Sequence, residues 1–179
     1  MGTPITSEQF RNLLAGFQQS WFKFECQPVY AMSEERVPVY RFLRDGTVLP
    51  PARFPWWQEW LNLMTDHAQA GHMIQRVRVL EEPPTPYQRY LLAVTRWHEE
   101  AGEQITYLPR SAALAVALPL GSKDWHLFDD TTAVTVRFTP EGGLAERLLT
   151  TDPDTVEHYR ALRDLALRHA APARDVAAA

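Results

Sequence analysis

Arg76 and Arg78 lie two positions apart within Met73–Leu80, a run that reads as a β-strand. That spacing sends both guanidinium groups to one face while Val77 and Val79 turn to the other, opposite Ile74. Arg89 falls near the start of the next helical stretch, Arg110 closes the strand after it, and Tyr87 and Glu25 can join them. Two or three guanidinium groups converging near a strand end and a helix N-terminus would hold a phosphate or a carboxylate bidentately. The same residues also fit a structural lattice in which Glu25, Glu103 or Asp129 neutralises each arginine, because clustered buried arginines demand counter-charges. Both readings stay open. Arg78, deeper along the strand, is expected to be structural, and Arg76 nearer a functional surface.

Asp129-Asp130 could supply a carboxylate pair, with His126 beside it as a further site-adjacent residue. Adjacent strand residues point to opposite faces, however, and Asp129-Asp130-Thr131-Thr132 makes a plausible hairpin turn. No metal is expected: His67 and His72 straddle a helix end, and no His-Glu-x-x-His pattern exists. A nucleophile elbow is missing, and Cys26 continues the apolar side of the Phe22/Phe24 alternation, so it reads as a buried thiol. Neither a Walker loop nor Gly-x-Gly-x-x-Gly is present, so no nucleotide cofactor is expected. Trp56 and Trp57 are adjacent on a helix, about 100° apart. With Phe54, Pro55 and Trp60 they form either a partner-binding patch or a helix packed on two sides.

The elements that must position these groups follow from periodicity. Thr6 to Gln9 has capping-box spacing, and Phe10, Leu13, Leu14, Phe17 and Trp21 recur at helical intervals behind it. Phe22 to Gln27 alternates as a strand. A second helix is predicted from Ser33, or closer to Val37, to Asp45-Gly46, and a third from Pro55 to Gly71. Met73–Leu80, a helix opened by Thr85-Pro86, and Gln104–Leu108 make a parallel βαβ unit. Trp125–Phe128, Ala133–Phe138 and Leu144–Leu149 follow as a meander. Asp152 caps a last helix with the stripe Val156, Tyr159, Leu162, Leu165 (or Ala166) and His169.

Composition narrows the classes. The chain has 179 residues, 45% hydrophobic and 22% charged, with a net charge of -4, which fits one globular domain and argues against general nucleic-acid binding. Only Lys23 and Lys123 are lysines, and a single cysteine rules out an internal disulfide framework. The start lacks a basic region followed by an apolar run, and Ala112–Leu120 is about half the length of a membrane span. A cytoplasmic protein without membrane association is expected.

The series Arg41-Phe42-Leu43-x-x-Gly46, Gly71-x-x-x-Gln75-Arg76-Val77-Arg78-Val79, Pro86-Tyr87-x-Arg89-Tyr90, Ala101-Gly102-Glu103-x-Ile105 and Asp124-Trp125-His126-Leu127-Phe128-Asp129-Asp130 resembles an actinobacterial family of unknown function. It covers about Phe24 to Leu167, and Trp125-His126 departs modestly from the family's usual run. Members are frequently encoded beside helix-turn-helix transcriptional regulators, which implies a regulatory or partner role. A more distant similarity is to one half of the phospholipase D fold. There Ser122 and Asp124 would stand where the histidine nucleophile and the lysine belong, leaving a copy without that chemistry.

The expected architecture is a single α/β domain over 1–171 with a mixed sheet: an N-terminal helical layer about 6–71, a sheet core about 73–150, and a C-terminal helix about 153–170. A flexible tail is expected over 172–179. The expected function is non-enzymatic: a regulatory protein partnering another protein, plausibly a helix-turn-helix regulator. The alternative is a sensor of an anionic small molecule, or an enzyme of unidentified chemistry, with an arginine-lined pocket.

Overall fold

Capping residues mark most of the helix boundaries. Thr6 and Thr85 each close a reciprocal capping box with the glutamine three residues on, opening α1 (Ser7–Gly16) and α4 (Pro86–Glu100). Pro55 and Pro153 sit in the first turns of α3 (Pro55–Gln69) and α6 (Pro153–His169), where a missing N–H costs nothing. Gly46, at a φ of 74°, ends α2 (Arg36–Asp45). Besides these there are a short α-helix, α5 (Arg110–Ala115), and a 3-10 turn at Pro51–Arg53; the residues described are 2–173 in this computed structural model.

The strands are β1 (Thr3–Pro4), β2 (Ser20–Glu25), β3 (Met73–Leu80), β4 (Gln104–Pro109), β5 (Lys123–Phe128), β6 (Thr132–Phe138) and β7 (Leu144–Thr150). They form one mixed sheet in the order β1-β7-β6-β5-β2-β3-β4. β2, β3 and β4 run parallel, and β5, β6, β7 and β1 pair antiparallel, so the protein is a mixed α/β fold. The expected βαβ unit is β3-α4-β4, and the meander is β5-β6-β7. Each face carries its own core. Phe22, Phe24, Val77, Val79, Trp125 and Leu127 pack under α5 and α6. Trp21, Ile74, Phe128 and Val134 pack under α1, α3 and α4 on the other face.

Several elements differ from the sequence expectation. Trp21 belongs to β2, not to the first helix, because that helix ends at Gly16 and the chain turns extended before it. β2 also lies inside the sheet, between β5 and β3, so the stretch 6–71 is a helical layer interrupted by a core strand, and β2 to β3 is a second parallel crossover. α2 starts at Arg36 after a turn, and α5 had no periodic signal long enough to announce it. His169 is exposed, off the buried stripe led by Val156 and Ala166. Ala171 bridges to Tyr107 through two backbone hydrogen bonds of 2.7 and 2.9 Å. Most of the expected tail, 174–179, lies outside the described residues.

The three-residue loop 129–131 joins β5 to β6, with Asp129 and Asp130 at positive φ, 52° and 54°, and the Thr131 N–H donating to the Phe128 carbonyl at 3.1 Å. The Asp129 carboxylate accepts hydrogen bonds from the backbone N–H groups of Gln18, Gln19 and Ser20 at 2.7–3.0 Å. It thus fixes the start of β2. Burial opposes its charge, but these backbone donors win and hold its pKa below the ordinary carboxylate value. Asp130 turns away to Arg163 and Arg160. Asp129→Ala is expected to cost roughly 2–4 kcal/mol in chemical denaturation, through lost charged hydrogen bonds and a strained turn. Asp129→Asn, which tolerates the turn, is expected to cost less than half as much. A loss below about 0.5 kcal/mol for the alanine variant would contradict this role.

Candidate functional site

On the α1/α3/α4 face, the middle of the sheet is polar. Residues two apart on a strand share a face, so β2 presents Lys23 and Glu25, β3 presents Arg76 and Arg78, and β5 presents Asp124 and His126. The register aligns them: Lys23 stands opposite Arg76 on one side and His126 on the other, and Glu25 stands opposite Arg78. Above this floor is a cavity of about 340 Å³, in the range that holds small molecules. Its walls are aromatic: Trp56 and Trp60 one turn apart on α3, Tyr87 and Tyr90 on α4, Phe10 on α1, and Tyr30 from the β2–α2 connection.

Glu25 organises the floor. One carboxylate oxygen meets Lys23 at 2.5 Å and Arg76 at 3.0 Å; the other accepts from Nε of Arg78 at 2.6 Å. Burial alone would raise its pKa, but Arg78, Lys23 and Arg76 together hold it well below the usual value. Arg76 also reaches Glu103 at 2.5 Å, and Glu103 in turn accepts from Nδ1 of His98 at 2.7 Å. Burial pushes the Glu103 carboxyl up, yet Arg76 and His98 bring it down to about 2. The two arginines are equally buried, each 6% exposed, but they are not equally committed. Arg76 is bonded to two carboxylates. Arg78 uses only Nε, and its two terminal nitrogens have no hydrogen-bond partner among the described residues, while the side chain lines the cavity. The expected division rested on Arg78 lying deeper along the strand; the two are equally buried, both line the cavity, and Arg76 is the more fully paired.

The other half of the floor holds a carboxyl of different character. Asp124 accepts from the Cys26 backbone N–H at 2.9 Å and from the Tyr30 hydroxyl at 2.5 Å. Tyr30 is held there because the chain at Val29–Ala31 packs on the β6–β7 turn, where Gly142, at a φ of 83°, leaves no space for a side chain: a Cβ would meet the Val29 carbonyl oxygen at 2.7 Å. Burial pushes Asp124 up to about 6, against the pull of Lys23. Nδ1 of His126 accepts from the Trp21 indole N–H at 3.0 Å, which fixes a neutral ring protonated on Nε2. Burial, with Lys23 and Arg76 nearby, agrees by lowering its pKa well below the ordinary histidine value.

Of the residues singled out in the sequence, Glu25, Arg76, Arg78, Tyr87, Trp56, Trp57 and His126 border this one cavity. The tryptophans and the arginines thus line one cavity and not two. Trp57 turns into the core at 2% exposed, stacked on Trp56 with ring centroids 5.7 Å apart. Arg89 does not join them: two residues past Tyr87 on a helix it points outward, bonding the Pro84 carbonyl at 3.1 Å. Arg110 pairs with Glu81 at 2.6 Å and the Cys26 carbonyl at 2.9 Å, outside the cavity. Asp129 and Asp130 serve the turn. Sequence reading missed Lys23, Tyr30, Glu35, Asp124 and Arg147 as lining residues. Strand parity could have found Lys23 from Glu25, and Asp124 from His126; nothing local marks Tyr30 or Glu35. Among the described residues no cluster of three or more His, Cys, Asp or Glu side chains could hold a metal ion. No helix there is long and apolar enough to cross a membrane.

Two expected outcomes follow from these charges. Glu25→Gln leaves three cations around a neutral amide and is expected to cost roughly 3–5 kcal/mol, read by urea denaturation at pH 7. A loss under 1 kcal/mol would contradict its central place. Asp124 has a folded-state pKa raised above its ordinary value. Its contribution to stability is therefore full at low pH and is lost as pH rises through about 6. Asp124→Asn is expected to remove that loss, so the stability of the variant relative to the parent should rise by about 2–3 kcal/mol between pH 4 and pH 7. A flat difference over that interval would contradict a raised pKa.

Comparison with curated proteins finds no match. The family model described as a domain of unknown function (DUF6879) matches residues 8–178. That match takes in every residue of the polar floor and its aromatic walls, and the chain belongs to the DUF6879 family.

Proposed function

We propose that the protein is a regulatory protein whose cavity binds a small anionic molecule and whose output is contact with a protein partner. The observation that carries the reading is Arg78: a buried guanidinium, anchored through Nε, with its two terminal nitrogens unpaired at the lining of a partly open cavity. These nitrogens have water and, among the described residues, no protein group as partners, so an anionic group that displaces the water gains charge-assisted hydrogen bonds to a guanidinium already held in place. The aromatic walls supply apolar area for the rest of the ligand. Binding is expected to stabilise the fold by about 2.7 kcal/mol at a ligand concentration one hundred times Kd. The test is a panel of small carboxylates and phosphates screened by thermal shift and titration calorimetry. No stabilisation by any of them would contradict the reading. Recovery of a bound compound unchanged after incubation would support sensing; its conversion would favour the enzyme alternative.

A separate observation supports the partner. Val37, Tyr40 and Leu43 recur along α2 with 59%, 60% and 50% of their surface exposed, an apolar ridge flanked by Arg36 and Arg44 on the same helix. α2 begins beside Glu35, whose carboxylate accepts from the Tyr87 hydroxyl in the cavity wall, so an occupied cavity can act on that helix. A helix-turn-helix transcriptional regulator, the partner implied by the actinobacterial resemblance, is the proposed occupant. A phospholipase D-like half with Ser122 and Asp124 at the reacting positions would serve the same reading, as a scaffold that binds without cleaving. Tyr40→Glu is expected to weaken co-purification with a co-expressed regulator while leaving the melting temperature unchanged. Undiminished co-purification would remove α2 from the interface.

A further inference from the structure

Resting on the anion-binding reading, we propose that the ligand is an aromatic monocarboxylate, its carboxylate held by the two terminal nitrogens of Arg78 and its ring laid on the Trp56 and Trp60 side of α3. A guanidinium whose Nε is already bonded to Glu25 at 2.6 Å is fixed in orientation. The edge that remains is a planar pair of donors, the shape that matches a carboxylate. Because that orientation is set before the ligand arrives, little ordering is left to oppose binding.

Charge argues for a single negative group. Lys23 and Arg76 are already engaged with Glu25 and Glu103, and the cavity lining itself holds the carboxyl groups of Glu25, Glu35 and Asp124. At Arg78 a phosphate dianion would bring two negative charges beside the carboxyl groups of Glu25, Glu35 and Asp124 against a single guanidinium with unpaired terminal nitrogens. The other lining cation, Arg147, stands on β7, four strand spacings from β3 in the sheet order, roughly 19 Å away across the backbone. Its guanidinium lies over the Phe10 ring at 4.8 Å and bonds Ser7 at 3.1 Å. Its Nε is buried without a partner among the described residues, so it is a second cation an anion could meet, and Arg147→Lys beside Arg78→Lys separates the two.

The body of the ligand is read from the walls. Trp56 and Trp60 lie on one face of α3, border the cavity and are only half-buried. Two indoles left partly uncovered beside a fixed guanidinium suit a flat apolar ring better than a flexible chain or a sugar, which would need polar partners along its length.

The experiment is calorimetry and tryptophan fluorescence on the full chain at pH 7.5 with 2-naphthoate, 2-naphthyl phosphate, 2-naphthylmethanol and cyclohexanecarboxylate. Naphthoate is expected to bind most tightly, with the alcohol weaker by about tenfold or more. Arg78→Lys and Trp56→Ala are each expected to weaken naphthoate by about tenfold, and Arg147→Lys to change it less than about twofold. Saturating naphthoate is also expected to slow phenylglyoxal modification of Arg78 in the parent protein, mapped by peptide mass spectrometry. This needs no variant to fold. Naphthyl phosphate binding as tightly as naphthoate, a loss confined to Arg147→Lys, or unprotected Arg78 would each overturn the proposal. Cyclohexanecarboxylate binding as tightly as naphthoate would overturn the aromatic part and leave the anion-binding reading standing. Binding of none of the three anions would overturn both.

Discussion

One buried carboxylate, that of Glu25, holds together the polar half of this structure. It gathers Lys23 from its own strand and Arg76 and Arg78 from the next, at 2.5, 3.0 and 2.6 Å. Three cations stacked on two adjacent strands in low dielectric would repel one another and remain poorly solvated without it. Glu103 completes the neutralisation from behind Arg76, supported by His98. The pairing is asymmetric: among the described residues Arg76 gives both terminal nitrogens to carboxylates and keeps only Nε unpaired, whereas Arg78 is anchored through Nε and keeps both terminal nitrogens unpaired.

That asymmetry is possible because the two faces of the sheet do different work. The face under α5 and α6 is a continuous apolar core through Phe22, Phe24, Val77, Val79, Trp125 and Leu127, and it supplies cohesion. The opposite face carries the charged floor. There α1, α3 and α4 do not pack flat on the sheet but stand on its apolar margins at Trp21, Ile74, Phe128 and Val134. The aromatic side chains between them line the space that remains. Tyr30 and Glu35 tie the β2–α2 connection into this arrangement through Asp124 and Tyr87, so the cavity, the loop and the exposed helix α2 are mechanically joined.

Much of the fold is legible in the sequence, because capping pairs, prolines at helix starts and alternation on strands are local signals. The βαβ unit, the meander and the capped helices follow from them. What escapes is non-local. Nothing in residues 20–25 says that this strand sits inside the sheet between β5 and β3, and the helical spacing from Phe10 to Trp21 runs across a helix end that only the backbone reveals. At the site, parity correctly groups Arg76 with Arg78 and sets them apart from Val77 and Val79. It does not say which arginine is the more fully paired, since Glu25 and Glu103 arrive from 51 and 27 residues away. Arg89 illustrates the opposite failure: a residue close to the cluster in sequence is turned outward by the helical period. Trp56 and Trp57 were separable from the arginines in sequence and are inseparable in space.

The central claim is that both terminal nitrogens of Arg76 are taken by carboxylates, whereas those of Arg78 are open to a ligand. Nitrogen-detected NMR of the guanidinium groups reads this directly in the parent protein, through the exchange of the terminal Nη protons with water and their response to 2-naphthoate. The account predicts protected Nη signals for Arg76, unaffected by ligand, a protected Nε–H for Arg78, and fast-exchanging Arg78 Nη protons that become protected on binding. Arg78 Nη protons already as protected as those of Arg76, and unmoved by any anion, would contradict it.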